Sequence, residues 1–361
     1  CVSLLSCTKK QEERFAVSPP EQQGMQSELL AGMMEEILNN NLPVHSVLVL
    51  RNEHKVLEVN YWPNQKGEAH DIFSVTKSVM SALIGIALEQ GYIQSLDQPV
   101  LELFPTKKIA NPDPRKQAIT VRHLLTMSTG LDCRDSYLYN WEGIHKLWPS
   151  TDWVEHILSL PMKEAPGERF EYCNSASFLL SAIIEESTNM STLAFAEKYL
   201  FQPLDIDSVS WKRNPQGSYI GWGYMKITPE AMAKFGMLYL NQGRWKDQQI
   251  LPPDWVQAST QKHIDATFYD GYGYQWWTDD GGYYMAFGKF GQHIFVIPDK
   301  RMVVVITAGI EDPRRLKALI DRYLIPAASS DQPLPEDKAA RQQLAALSQR
   351  ATAEGYTWGD A

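Results

Sequence analysis

Several common functional classes are excluded by what this 361-residue chain lacks. It has no stretch long and apolar enough to cross a bilayer. It has no run of like charges: 34 Lys and Arg are interspersed with 43 Asp and Glu, a net charge of −9 that argues against nucleic acid as a partner. No zinc-finger spacing, H-E-x-x-H helix or EF-hand loop occurs. The glycine runs fail as phosphate cradles. Trp276 stands where a dinucleotide fingerprint starting at Gly271-Tyr272-Gly273 needs its third Gly, and Phe290 follows Gly288-Lys289 where a phosphate loop needs Ser or Thr. The chemistry expected therefore uses neither metal nor cofactor. Cysteine is scarce, 4 in all, and a chain that is 44% hydrophobic needs no disulfide staple, so Cys133 and Cys173 are expected to be buried and free.

At the start, Leu4-Leu5-Ser6-Cys7 followed by Thr8-Lys9-Lys10-Gln11-Glu12-Glu13 reads as the end of a bacterial lipoprotein signal. Cys7 is the expected lipidation site, and residues 1–22 are a signal remnant and tether. The chain opens on Cys rather than Met and so reads as a fragment of its precursor. The expected location is the cell envelope, periplasmic or outer-membrane associated, with membrane contact only through that lipid.

Val47-Leu48-Val49-Leu50 and Val56-Leu57-Glu58-Val59 read as a hairpin, and so do Ile294 to Ile297 and Met302 to Thr307 about Pro298-Asp299-Lys300. Hairpins at both ends of a chain are expected to meet in one antiparallel sheet. Helical periodicity covers Ser27 to Asn39, the run after Ser74, and Asp312 to Leu324. The middle is mostly helical, with Val121 to Met127, Trp153 to Ser159, Ser175 to Glu186 and Leu193 to Leu200, and Thr228-Pro229 opens a further helix. The expectation is an α+β chain: an α/β domain from 23–79 and 224–326, an inserted helical domain at 80–223, and a polar tail at 327–361 carrying at most a peripheral helix.

Ser74-Val75-Thr76-Lys77 sets a hydroxyl and an amine one helical turn apart, where the amine can take the hydroxyl's proton. Ser6 to Lys9 and Ser259 to Lys262 share the spacing, but Ser74 alone opens a long apolar helix, through Val79, Met80, Leu83 and Ile84 to a stop at Gly91. The backbone N–H groups at such a helix start are free to bind developing negative charge. A second proton carrier is expected at Tyr172, in Tyr172-Cys173-Asn174 just before a helix; Tyr239-Leu240-Asn241 has the same letters but lies at a helix end.

Ser74-x-x-Lys77 with Tyr172-x-Asn174 resembles the serine β-lactamase and penicillin-binding-protein superfamily, in its class C-like branch with esterases and 6-aminohexanoate-dimer hydrolases. Leu124 to Leu131, Pro166-Gly167 and Phe201-Gln202-Pro203-Leu204 are similar to phrases of that family, and the likeness spans roughly residues 25–325. It implies a β-lactamase/transpeptidase-like fold, an antiparallel sheet flanked by helices with an all-helical insertion, and a site between the two parts. The implied roles are Ser74 as nucleophile, Lys77 and Tyr172 as proton carriers, and Asn174 as a group that binds substrate or holds Lys77.

The third motif departs from the family's Lys-Thr-Gly, and two registers stay open: Lys289-Phe290-Gly291 by letters, or Ala286-Phe287-Gly288 by the strand that follows. The second, preferred register makes the N–H groups of Ser74 and Lys289 the oxyanion hole and sets Phe287 and Gly288 against the substrate. Ala286-Phe287 cannot bind the carboxylate of a penicillin, so esters, amides or short peptides are expected substrates, with weak or no β-lactamase activity. The alternatives are a D,D-carboxypeptidase or true β-lactamase, and a penicillin sensor that never turns over. Tyr139 and Trp141 after Gly130, and the Tyr274 to Trp277 stretch, are expected to border the cleft.

Overall fold

Two aliphatic, β-branched runs around a polar tip fold as β1 (Val44–Arg51) and β2 (His54–Asn60). They turn at Asn52 and Glu53, whose φ values of 48° and 66° are those of a turn matched to strand twist. The computed structural model describes residues 15–355, so Cys1, Cys7 and the Ser6 to Lys9 tetrapeptide lie outside the described residues. Besides short strands at Ser210–Trp211, Arg244–Trp245 and Gln248–Gln249, the later strands are β3 (His70–Asp71), β4 (Met225–Ile227), β5 (Gly271–Tyr272), β6 (Trp277–Asp279), β7 (Tyr283–Gly288), β8 (Gln292–Ile297) and β9 (Met302–Ala308).

Seven of these form one antiparallel sheet in the order β2-β1-β9-β8-β7-β6-β5. The two hairpins meet where β1 pairs with β9, Val47 opposite Ile306 and Val49 opposite Val304. The short β3 pairs apart from this sheet with β4, Asp71 opposite Lys226.

Strands β8 and β9 are buried along their whole length, which requires cover on both faces. The longer helices are α1 (Ser27–Asn39), α2 (Val75–Glu89), α3 (Asn174–Thr188), α4 (Pro229–Leu240) and α5 (Lys338–Thr352). Helix α4 starts as its sequence signals, with Thr228 accepting from the Ala231 N–H and Pro229 in the first turn. Gly236 lets it press on the sheet, since a Cβ there would stand 2.6 Å from Val303 Cγ1. Helix α2 is buried from Val75 through Ala87 and lies between α3 and β7, the placement that brings three distant motifs together.

The expected helix over Asp312 to Leu324 forms as Arg314–Leu319, continued by a wider turn over Ile320–Leu324. The polar tail is more closely joined to the body than expected. Helix α5 packs on α1, burying Ala340, Leu344 and Ala351, and the Trp62 N–H donates to the Ala351 carbonyl. Between α2 and β4 the chain is largely helical, with Trp153 stacked on Trp222 at 5.4 Å and 10° in its core. Among the described residues no helix is long and apolar enough to cross a membrane.

Candidate functional site

The turn into α2 is shaped by its own short sequence. Asp71 Oδ1 accepts the Phe73 N–H at 2.9 Å, Phe73 takes φ of 46°, and its carbonyl accepts the Thr76 hydroxyl at 2.7 Å. A bulky residue at positive φ is strained, and it sits directly before Ser74, the N-cap of α2. One turn on, Lys77 is 1% exposed. Its Nζ lies 3.0 Å from Ser74 Oγ, 2.7 Å from Asn174 Oδ1 and 3.0 Å from the Trp222 carbonyl.

Tyr172 and Asn174 arrive on the loop into α3. Lys77 Nζ stands 4.9 Å from the centre of the Tyr172 ring, and the Ser74 hydroxyl lies near enough to the Tyr172 phenol to act on its proton affinity. Trp277 stacks on Tyr172 at 6.0 Å and 18°. Asn174 is positioned by Asp135, whose backbone carbonyl takes the Asn174 Nδ2–H at 2.7 Å. Both ends of the Asn174 amide engage the protein, and its Oδ1 holds Lys77.

Asp135 carries no spacing signal in the sequence. It is completely buried, and its two oxygens accept the N–H groups of Asn174 at 2.8 Å and Ser175 at 2.7 Å at the start of α3. The expectation of free thiols is overturned beside it: Cys133 and Cys173, Cα atoms 5.8 Å apart, form a disulfide. The fold brings the Asp135 loop against the Tyr172 loop, a meeting that no local pattern at a separation of 40 residues reveals. Removing the link by Cys133→Ser with Cys173→Ser should cost about 3–4 kcal/mol, a Tm drop of roughly 5–10 °C by calorimetry.

The third wall is β7. Ala286-Phe287-Gly288 lies on the strand, while Lys289-Phe290-Gly291 makes the turn into β8, with φ of 63° and 89° at Phe290 and Gly291. A Cβ on Gly288 would stand 2.3 Å from the Ile72 carbonyl oxygen, so glycine lets β7 close against the segment leading to Ser74. Gly288→Ala should cost about 1–3 kcal/mol by overpacking and lower activity more than its Tm suggests, because Ile72 must move. Phe287 is half-buried, stacked on His293 at 4.8 Å and 6.2 Å from Tyr269. The exposed Lys289 ammonium lies 4.6 Å from the Phe290 ring and 5.5 Å from that of Trp141.

The other aromatics of these stretches each have distinct neighbours. Tyr139 is held between Arg134 and Lys163. Trp276 is fully buried against Phe235 and Tyr239, and Tyr274 stacks on His263, so within that stretch Trp277 is the ring that meets Tyr172. Tyr239 is thus core packing, while Asn241 caps α4.

Complete burial pushes the Lys77 ammonium well below the ordinary lysine range, opposed by the Asp135 charge. Burial pushes the Tyr172 phenol above its ordinary range, opposed by the nearby Ser74 hydroxyl. Burial likewise raises the Asp135 carboxyl, against the N–H groups it accepts. Burial thus works against the charged form of each of the three groups.

A buried helix that opens on a hydroxyl one turn before a buried amine, walled by an antiparallel sheet, places this chain among hydrolases of the β-lactamase/transpeptidase-like fold. The Beta-lactamase family model matches residues 22–328, and the chain belongs to that family. The 6-aminohexanoate-dimer hydrolase of Paenarthrobacter ureafaciens is 23% identical over 290 residues, 74% of this chain and 72% of its own. Among solved structures, EstCE1, a hydrolase with promiscuous acyltransferase activity, superposes with a TM-score of 0.68 at 16% identity, over 84% of this chain and 99% of that one. The octameric penicillin-binding protein homologue from Pyrococcus abyssi gives 0.63 at 19% identity, over 84% and 78%. At such identities the structures speak for the fold alone.

Proposed function

We propose that this chain hydrolyses an ester, amide or short peptide bond through an acyl-enzyme on Ser74, with Lys77 as base and Tyr172 as acid. The observation that carries this reading is the set of partners around Lys77 Nζ. As an ammonium Lys77 donates to all three, Ser74 Oγ at 3.0 Å included; once neutral it keeps two N–H donors for Asn174 Oδ1 and the Trp222 carbonyl and can turn its lone pair to the Ser74 hydroxyl.

Ser74 Oγ attacks the carbonyl as its proton passes to Lys77. The tetrahedral oxyanion lies against the N–H groups of Ser74 and Lys289. Tyr172, a phenol rather than a phenolate, protonates the leaving group as the carbonyl re-forms, and the Lys77 proton restores it. Water then repeats the cycle on the acyl-enzyme. Tyr172, Trp277 and Phe287 offer an aromatic wall that suits an apolar group on the substrate.

Asp135 serves as a positioning residue. Asp135→Asn removes the charge that favours the Lys77 ammonium, so the acid limb of kcat/KM should move to lower pH. Its amide cannot accept both N–H groups of α3, so the maximum should fall about 10–100-fold. A pH–rate profile measures both.

Weak or absent β-lactamase activity belongs to the same reading, since Ala286 and Phe287 supply neither cation nor hydroxyl and the Lys289 ammonium is at Trp141 and Phe290. A panel of a short-chain nitrophenyl ester, a chromogenic cephalosporin and a D-Ala-D-Ala peptide tests it. Ester turnover with little cephalosporin turnover is expected; dominant cephalosporin or D-Ala-D-Ala turnover would overturn the substrate class, and labelling without steady-state release would identify a sensor. The Cys133–Cys173 disulfide supports placing the chain in an oxidising compartment, as the proposed lipid anchor at Cys7 requires.

A further inference from the structure

Behind the turn into α2 lies a cavity of about 330 Å³ that the proposed chemistry does not use. His45 on β1 and His70 on β3 both line it, and His45 Nδ1 meets His70 Nε2 at 2.8 Å. Their facing nitrogens share one proton. Glu68 and Asp71 line the same cavity, and the Glu68 charge acts on both rings. Gln292, 2% exposed, forms another part of the wall. Its Nε2–H donates to the Ala308 carbonyl at 2.7 Å, yet its Oε1 has no hydrogen-bond partner among the described residues.

We propose that this cavity binds one divalent transition-metal ion, Zn2+ or a close analogue, through His45 Nδ1 and His70 Nε2, with Glu68 as the charged ligand and water completing the set. Two imidazole nitrogens on a tetrahedral zinc, each about 2.0–2.1 Å from it, stand about 3.3 Å apart. The ion would replace the shared proton while the rings part by only about half an ångström. Two nitrogens with oxygen ligands suit zinc or copper better than calcium or magnesium.

The polar side chains named on the wall offer lone pairs or negative charge, a lining for a cation. Lys226, paired with Asp71 across β3 and β4, also acts on His70, but it does not line the cavity. Glu68 is exposed, with Oε2 accepting the Gln65 N–H at 3.1 Å, and it must swing inward to complete the set. His45 and His70 stand 25 residues apart on different sheets, which is why no metal spacing appears in the sequence.

The ion would tie β3, four residues before Ser74, to the central sheet. Phe73, directly before Ser74, and Phe290, edge to face with it at 5.5 Å, both line this cavity. The role inferred is to hold that turn, with no part in bond making.

The test is calorimetric titration of the metal-free full chain with Zn2+, alongside His45→Ala, His70→Ala, Glu68→Gln and a distant His156→Ala control. Wild type and the control should bind one equivalent. Either ligand-histidine variant should weaken binding by at least the roughly 10–100-fold that an outer partner of a ligand costs, and Glu68→Gln by about 10-fold. Zinc should raise the Tm of wild type and leave that of His45→Ala unchanged. Should the histidine variants fail to fold, the wild-type imidazole resonances decide: zinc must shift those of His45 and His70. Binding that survives both histidine substitutions, resonances that do not move, or no binding at millimolar zinc would overturn the site and leave a water-filled cavity. None of these readouts depends on hydrolase activity.

Discussion

Ser74→Ala is expected to lower ester turnover by on the order of 10⁴-fold or more while leaving the fold in place, because removing a nucleophile abolishes the covalent route and leaves only binding and oxyanion contacts. The stability cost should be small. Lys77 loses one of its three partners and keeps Asn174 and Trp222, a change of about 1 kcal/mol. Turnover of a nitrophenyl ester, with intact-mass detection of the acyl adduct in wild type and its absence in the variant, separates Ser74 from an adventitious hydroxyl. Turnover that survives the substitution would remove Ser74 from the mechanism.

Replacing Lys77 should come next in severity. Lys77→Met keeps much of the buried volume but takes away the base, an expected loss of about 10²–10⁴-fold in kcat/KM. It also leaves Asn174 Oδ1 and the Trp222 carbonyl without their donor, so a modest fall in Tm accompanies it. The pH dependence makes the prediction specific. Burial lowers the Lys77 pKa, so the amine becomes neutral, and active, at a lower pH than an exposed lysine would; kcat/KM should rise with pH through that lowered value. It should then hold level until the phenol of Tyr172, whose pKa is raised, ionises in strongly alkaline solution. The acid limb should disappear from whatever activity Lys77→Met retains. An unchanged limb would assign it to another group.

Much of this site is legible in one dimension because its parts are local patterns. The Ser74 to Lys77 spacing is a property of a single helical turn, and the apolar face from Val75 to Ile86 marks that helix as buried. Tyr172 is legible from its place before α3, and the preference for Ala286-Phe287-Gly288 from the alternation of the strand behind it, which the structure places as β8. The reason for glycine at 288 was only half legible. A need for close approach could be read, but the partner is the chain's own Ile72 carbonyl.

Asp135 was invisible for the opposite reason. Its value comes from two N–H groups at the start of α3 and from Lys77, about forty and sixty residues away along the chain, and an aspartate in a polar loop looks the same whether or not a helix is later docked on it. The Cys133–Cys173 disulfide and the His45–His70 pair escaped in the same way, and so did the contrast between Trp276 in the core and Trp277 on Tyr172.

What the amino-acid sequence determined by itself is therefore the family, the hydroxyl–amine pair and the succession of strands and helices, since each rests on periodicity or spacing within a few residues. The tertiary structure alone decided the burial and the company of the pair: the Lys77 ammonium is disfavoured because α3, the Trp222 loop and α2 close around it, and Asn174 faces it because Asp135 turns the amide. Burial and long-range hydrogen bonds are properties of the assembled core, and no local pattern encodes them.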